Sequence, residues 1–110
     1  MRIDIISAVP ELLESPLNHS IIKRAKAKGV VEINIIDLHQ YGKGNYKQID
    51  DYPFGGDSGM VIKPEPLYQA ITELTSQRDY DHVLYTSPDG EILSQPMANS
   101  LSCATNIIIL

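Results

Sequence analysis

Cys103 is the single cysteine in 110 residues, and a lone thiol excludes an intramolecular disulfide framework. A structural zinc site would need more thiols or clustered histidines. His19, His39 and His82 lie far apart and show no metal-ligand spacing. No apolar run exceeds about five residues, far short of the ~20 that span a bilayer as a helix. No basic n-region precedes an apolar h-region, so no signal peptide is read and a cytoplasmic location is the default expectation. No GxGxxG follows a strand-like run, which disfavours a Rossmann nucleotide site, and no GxxxxGK[ST] is present for P-loop chemistry. Positive charge is short as well: the net charge is -5 and the pI about 5.0. That balance argues against a protein that coats nucleic acid non-specifically.

What is present is ordinary globular composition, 43% hydrophobic and 21% charged, which argues against disorder. A chain of this length buries about two-thirds of its unfolded surface, enough for one core and not for two domains. The charge is segregated. From Lys23 to Lys47 there are Lys23, Arg24, Lys26, Lys28, Lys43 and Lys47 against Glu32 and Asp37. From Asp50 onward only Lys63 and Arg78 stand against nine carboxylates. The basic stretch reads either as a helix C-terminus suited to its dipole or as a phosphate-binding face.

Ile3–Val9 reads as a buried strand. Pro10-Glu11 suits the first turn of a helix. Ser15-Pro16 should interrupt that helix, with Asn18 as a new N-cap, and Gly29 is a natural residue just past the second helix. Val30–Leu38 alternates as a second strand. Residues 39–59 read as one long connection of the length that is usually functional or disordered, and Met60–Ile62 as a short strand. Pro64 to about Gln77 reads as a helix with Leu67, Ala70, Ile71 and Leu74 on one face. His82–Thr86 is a strand followed by the turn Ser87-Pro88-Asp89-Gly90. Ser94 caps a helix carrying Met97, Leu101 and Ala104, and Asn106–Leu110 is a final strand. Strands alternating with helices predict an α/β fold, with right-handed crossovers and a parallel sheet covered by helices on both faces. A chain stopping on an apolar strand predicts a longer domain.

Gly56-Asp57-Ser58-Gly59 matches the nucleophile signature of trypsin-like proteases, but the two antiparallel barrels and disulfides of that context are missing. Asp50-Asp51 before the Gly55, Gly56 and Gly59 loop is either an exposed acidic loop start or a substrate-contacting segment in which glycines allow close approach. Tyr52 or Phe54 there has a face on which a base can stack. Tyr85–Gly90 is either a plain turn or a ligand loop at the carboxyl end of a strand.

Taken together, Met1–Pro10, Arg24-Ala25, the Asp50–Gly56 run through Gly59-Met60, Pro66-Leu67 and Tyr85–Gly90 resemble the bacterial tRNA (guanine-N1)-methyltransferases of the SPOUT superfamily. The resemblance covers the whole chain and implies the N-terminal part, residues 1–110, of a SPOUT α/β-knot domain whose trefoil knot lies beyond it. It implies a homodimer that moves a methyl group from S-adenosylmethionine to N1 of the guanine 3′ of the tRNA anticodon, with a magnesium requirement. Tyr85, Thr86, Ser87, Pro88 and Gly90 would line the cofactor pocket. Asp50, Asp51, Gly55, Gly56 and Gly59 would approach the target guanine and the other subunit, and Arg24 would contact tRNA phosphate. The general base and the arginine of the family would lie beyond Leu110, so this piece alone is expected to be inactive. The chain departs from the family pattern at Tyr52, where many members have arginine, and at Asp57 and Ser58 within the usual GGGPGM run. These changes add negative charge and remove a cation and a stiff proline near an anionic substrate. The alternative is a non-catalytic binding or assembly module or decayed paralogue of the same fold. An unrelated flavodoxin-like domain is a third reading.

Overall fold

A computed structural model describes residues 1–53, 55–56, 59 and 61–110. Phe54, Asp57, Ser58 and Met60 lie outside the described residues, so the stacking role of Phe54, the departures at 57 and 58 and the start of the strand read from Met60 have no structural counterpart here. The chain divides into two compact units, Met1–Ile36 with Asp79–Leu110, and Asp37–Arg78.

The first unit is built on a four-stranded sheet of β1 (Arg2–Ser7), β2 (Glu32–Asp37, whose last residue belongs to the second unit), β5 (His82–Leu84) and β6 (Asn106–Ile109). Their order is β2-β1-β6-β5, and β6 runs parallel to both β1 and β5. The last strand of the chain is therefore central, which suits its apolar NIII sequence: Ile107 and Ile108 are buried. The parallel sheet with helical connections agrees with the architecture expected from the alternation.

Asp4 departs from the apolar reading of β1. It is fully buried, opposite Ile108. Its Oδ2 accepts from Arg2 Nε at 3.0 Å and from the Tyr80 hydroxyl at 2.5 Å. Arg2 Nη1 also reaches Glu32 Oε1 at 3.2 Å. The hydrogen bond to Asp4 is the main reason the Arg2 guanidinium is held above its ordinary pKa. Among the described residues Asp4 Oδ1 has no hydrogen-bond partner, an arrangement that costs stability in a buried carboxylate.

Between β1 and β2 lie α1 (Glu11–Leu17) and α2 (Ser20–Ala27). The structure corrects two expectations here. Ser15-Pro16 does not interrupt α1, and Asn18 caps its C-terminus rather than opening α2. Proline forbids an N–H bond to the preceding turn, but α1 runs only one residue past Pro16, so the break falls at Asn18. Asn18 closes the corner by donating from Nδ2 to the Glu14 carbonyl at 2.6 Å and accepting Lys26 Nζ at 2.9 Å. The end of α2 follows the sequence. Gly29 has φ +72°, its N–H reaches the Lys26 carbonyl, and Val30 N–H reaches that of Ala25, a Schellman closure.

The second unit holds a 3-10 turn (Leu38–Tyr41), the antiparallel pair β3 (Asp50–Asp51) and β4 (Val61–Ile62), and α3 (Pro64–Gln77). The expectation of one long connection over residues 39–59 is thus corrected. Asp37 caps the 3-10 turn by accepting His39 N–H at 2.9 Å. Lys43 and Gln48 exchange backbone hydrogen bonds. Gly42 is required there, because a Cβ would collide with the Lys47 carbonyl. Local turn pairings of this kind leave no period-2 or period-3.6 pattern to read. The antiparallel pair also departs from the purely parallel expectation. Helix α3 keeps its predicted bounds, with Pro64 in the first turn, and buries Pro66, Ala70 and Leu74. Leu67 and Ile71 are half-buried.

The Tyr41 hydroxyl donates to Glu73 Oε2 at 2.7 Å. Burial first, and then this carboxylate, push the Tyr41 pKa up to about 12. The pair therefore contributes fully below the unfolded value near 10 and is lost as pH rises through about 12. Denaturant unfolding of the parent is expected to weaken more steeply between those pH values than that of Tyr41→Phe. Equal pH slopes in the two proteins would contradict this.

Candidate functional site

Strand β5 gives way to Tyr85 and Thr86, which are held against the end of β6. Thr86 N–H and Oγ1 both donate to the Leu110 carbonyl, at 3.0 and 2.7 Å, and Leu110 N–H donates to the Leu84 carbonyl at 2.8 Å. The chain then turns. Gly90 N–H reaches the Ser87 carbonyl at 3.2 Å, and Ser87 Oγ accepts Asp89 N–H at 3.2 Å. Ser-Pro-Asp-Gly is suited to such a turn, with proline setting φ and serine bonding two residues ahead. Helix α4 (Gln95–Leu101) follows, with Ser94 Oγ accepting Met97 N–H at 3.3 Å as the N-cap. Ala104, expected on this helix, lies past its end and donates its N–H to the Leu101 carbonyl.

The turn, α4 and the ends of β5 and β6 enclose a cleft of about 570 Å³. Tyr85, Thr86, Ser87 and Gly90 line it, and Pro88 does not. Sequence reasoning missed its other walls: Leu93, Met97, Leu101 and Ile109 supply apolar surface and Glu91 a carboxylate. The i, i+4 spacing of Met97 and Leu101 was the available signal for one wall; nothing local marks Glu91. Tyr85 is 74% exposed, so its ring face is free to stack. A mostly apolar cleft with a few polar groups suits a small organic ligand, and its volume falls in the usual range of about 300–1,000 Å³.

On the other side of the sheet's last crossover, Asp81 is a structural carboxylate. Its Oδ2 accepts Thr105 N–H at 2.7 Å and Asn106 N–H at 3.1 Å, and these bonds, that from Asn106 foremost, lower its pKa. The contribution is present at neutral pH and is lost as pH falls through the lowered value.

The remaining candidates divide between the units. Arg24 is exposed on α2 in the first. Asp50 and Asp51 form β3 in the second, and Asp51 lines a separate cleft of about 520 Å³ with Lys43, Lys63, Tyr52 and Glu65. Gly55, Gly56 and Gly59 all have positive φ, from +82° to +102°, a backbone that L side chains rarely adopt. Among the described residues no three His, Cys, Asp or Glu side chains cluster as metal ligands. None of the described helices is long and apolar enough to cross a membrane.

The chain is similar to known proteins along its whole length. The family described as "tRNA (Guanine-1)-methyltransferase TrmD" matches residues 1–110. A tRNA (guanine-N(1)-)-methyltransferase of Bacteroides thetaiotaomicron is 56% identical over 110 residues, all of this chain and 49% of that protein. The protein of the same name from Chlorobium chlorochromatii is 49% identical, again over the whole chain and 48% of its own length. The crystal structure of a tRNA (m1G37) methyltransferase from Aquifex aeolicus superposes with a TM-score of 0.88 at 37% identity, over 99% of this chain and 49% of that one. The chain spans about half the length of the curated relatives it matches. Its parallel sheet with helices is that of a SPOUT methyltransferase, and with a match along its full length the chain belongs to the tRNA (guanine-1)-methyltransferase family.

Proposed function

We propose that this chain supplies the cofactor-binding part of an enzyme that transfers a methyl group from S-adenosylmethionine to N1 of the guanine 3′ of a tRNA anticodon. The observation that carries the reading is the cleft formed by Tyr85, Thr86, Ser87 and Gly90 with the apolar wall of α4, in a chain of this family. The residues present fit such a cofactor: Tyr85 offers a stacking face to an adenine, Leu93, Met97 and Leu101 offer apolar walls, and Glu91 offers negative charge to a cationic ligand. Bound there, the cofactor would supply an electrophilic methyl group on a sulfonium. Pro88 acts by stiffening the turn rather than by touching the ligand.

Guanine N1 carries a proton at neutral pH, so transfer needs a base near N1, a donor for charge on O6 and an aligned methyl group. Glu91 and Tyr85 are the titratable groups of the cleft, and we assign neither as that base. Its source, with the arginine and the knot, is proposed to be the half of the protein that the relatives possess beyond the matched region, in a cytoplasmic homodimer that requires magnesium. Asp50, Asp51 and the Gly55–Gly59 loop are assigned to the approach of the guanine and Arg24 to phosphate.

The protein as its gene encodes it is expected to transfer labelled methyl from S-adenosylmethionine to unmodified tRNA, with 1-methylguanosine as the product. Residues 1–110 alone are expected to give no turnover. Methylation of another atom, or none by the encoded protein, would overturn the reading and favour a binding or assembly module.

A further inference from the structure

We infer that Lys23 and Arg24 of α2, with Lys28 at its C-cap, form a face that contacts phosphates of an RNA backbone, and that Lys26, the fourth cation of this segment, takes no part in it. The inference rests on the proposed tRNA reading and deepens it. At about 100° per residue, Lys23, Arg24 and Lys28 fall within about 140° of arc, and all three are exposed. Ile22, Ala25 and Lys26 occupy the opposite sector and are half-buried. Lys26 is committed elsewhere: its Nζ is 2.9 Å from Asn18 Oδ1 and 3.4 Å from the Leu17 carbonyl, tying α2 to α1.

Among the described residues no carboxylate forms an ion pair with Lys23, Arg24 or Lys28. The helix dipole favours Arg24 in the last turn and Lys28 at the C-cap, but it does not call for a cation at Lys23. The carbonyls of Arg24, Ala25 and Lys26 already accept backbone N–H groups from Lys28, Val30 and Gly29, and dipole effects fall off within one turn, which leaves Lys23 unexplained. From Lys23 to Lys28 the helix advances about 7.5 Å. That length sets the three cations alongside a short run of backbone phosphates. The charge complementarity is local: a stretch with net positive charge inside a chain of net -5.

The test is the salt dependence of tRNA binding by the encoded protein, from about 50 to 300 mM salt. The triple variant Lys23→Ala, Arg24→Ala, Lys28→Ala is expected to reduce the slope of log affinity against log salt by about 2 to 3. Alanine favours helix, so α2 is retained, which circular dichroism checks. Lys26→Ala is expected to keep the parent slope, and so is the double variant Lys23→Arg, Lys28→Arg. A triple variant with the parent slope in a protein that still methylates tRNA overturns this surface while the proposed function stands. A reduced slope in a protein that transfers no methyl group leaves the surface standing and overturns the function. An unchanged slope with lost self-association assigns the face to a protein contact and overturns the inference, as does a parent that binds no tRNA.

Discussion

Ile108→Ala is expected to remove about 2–5 kcal/mol of folding stability, the usual cost of truncating a fully buried isoleucine. Ile108 is 0% exposed at the middle of β6, between Asp4 of β1 and Val83 of β5. Its loss would open a cavity on the face where Asp4 Oδ1 lacks a partner among the described residues. Water entering beside that carboxylate would offset part of the cost and hold it toward the lower end of the range. A small domain has only about 5–15 kcal/mol in total, so the variant should melt well below the parent. Val83→Ala is the control, because Val83 is 48% exposed and should lose far less. Thermal unfolding in which the two variants behave alike would mean that β6 is not the centre of this core.

Tyr85→Ala is expected to weaken S-adenosylmethionine binding by the encoded protein about 5- to 150-fold, since a base–aromatic stack is worth about 1–3 kcal/mol. The ring is exposed, so stability should change by less than about 0.5 kcal/mol, which separates lost binding from lost fold. Gly90→Val should act in the same direction by another route. A Cβ at Gly90 lies 3.3 Å from the Ser87 carbonyl, which is the acceptor of the bond closing the turn. Pro88→Ala should have the smallest effect of the three, because Pro88 does not line the cleft. Calorimetric titration reads all three. Parent-like affinity in both Tyr85→Ala and Gly90→Val would remove the turn from the site.

How much of this could be read in advance depended on the range of each signal. Helix α3 was legible from its first-turn prolines and its Leu67, Ala70, Ile71, Leu74 stripe. The stop at Gly29 and the cap at Ser94 were legible because each is settled by hydrogen bonds within a few residues. Pro16 misled because the rule it obeys fixes a missing bond, not where the helix ends; the end was set by Asn18 reaching back to Glu14 and across to Lys26. The order within residues 39–59 is not legible in the sequence because it comes from isolated pairings such as Lys43 with Gln48.

The sequence by itself determined the alternation of strands and helices, the turn at Ser87–Gly90, the segregation of charge and the family resemblance. Each of these is written in neighbouring residues or in motif order. Tertiary structure alone decided that β6 is central, that Asp4 is buried beside Arg2 and Tyr80, that Lys26 is tethered to Asn18 while Lys23, Arg24 and Lys28 form no ion pair among the described residues, and that Glu91, Leu93, Met97 and Leu101 join the turn in one cleft. The reason is that these depend on contacts beyond the next turn of chain, from Lys26 back to Asn18 up to Thr86 with Leu110 and Asp4 with Tyr80. Neither period nor propensity along the chain specifies which distant partner a residue will meet.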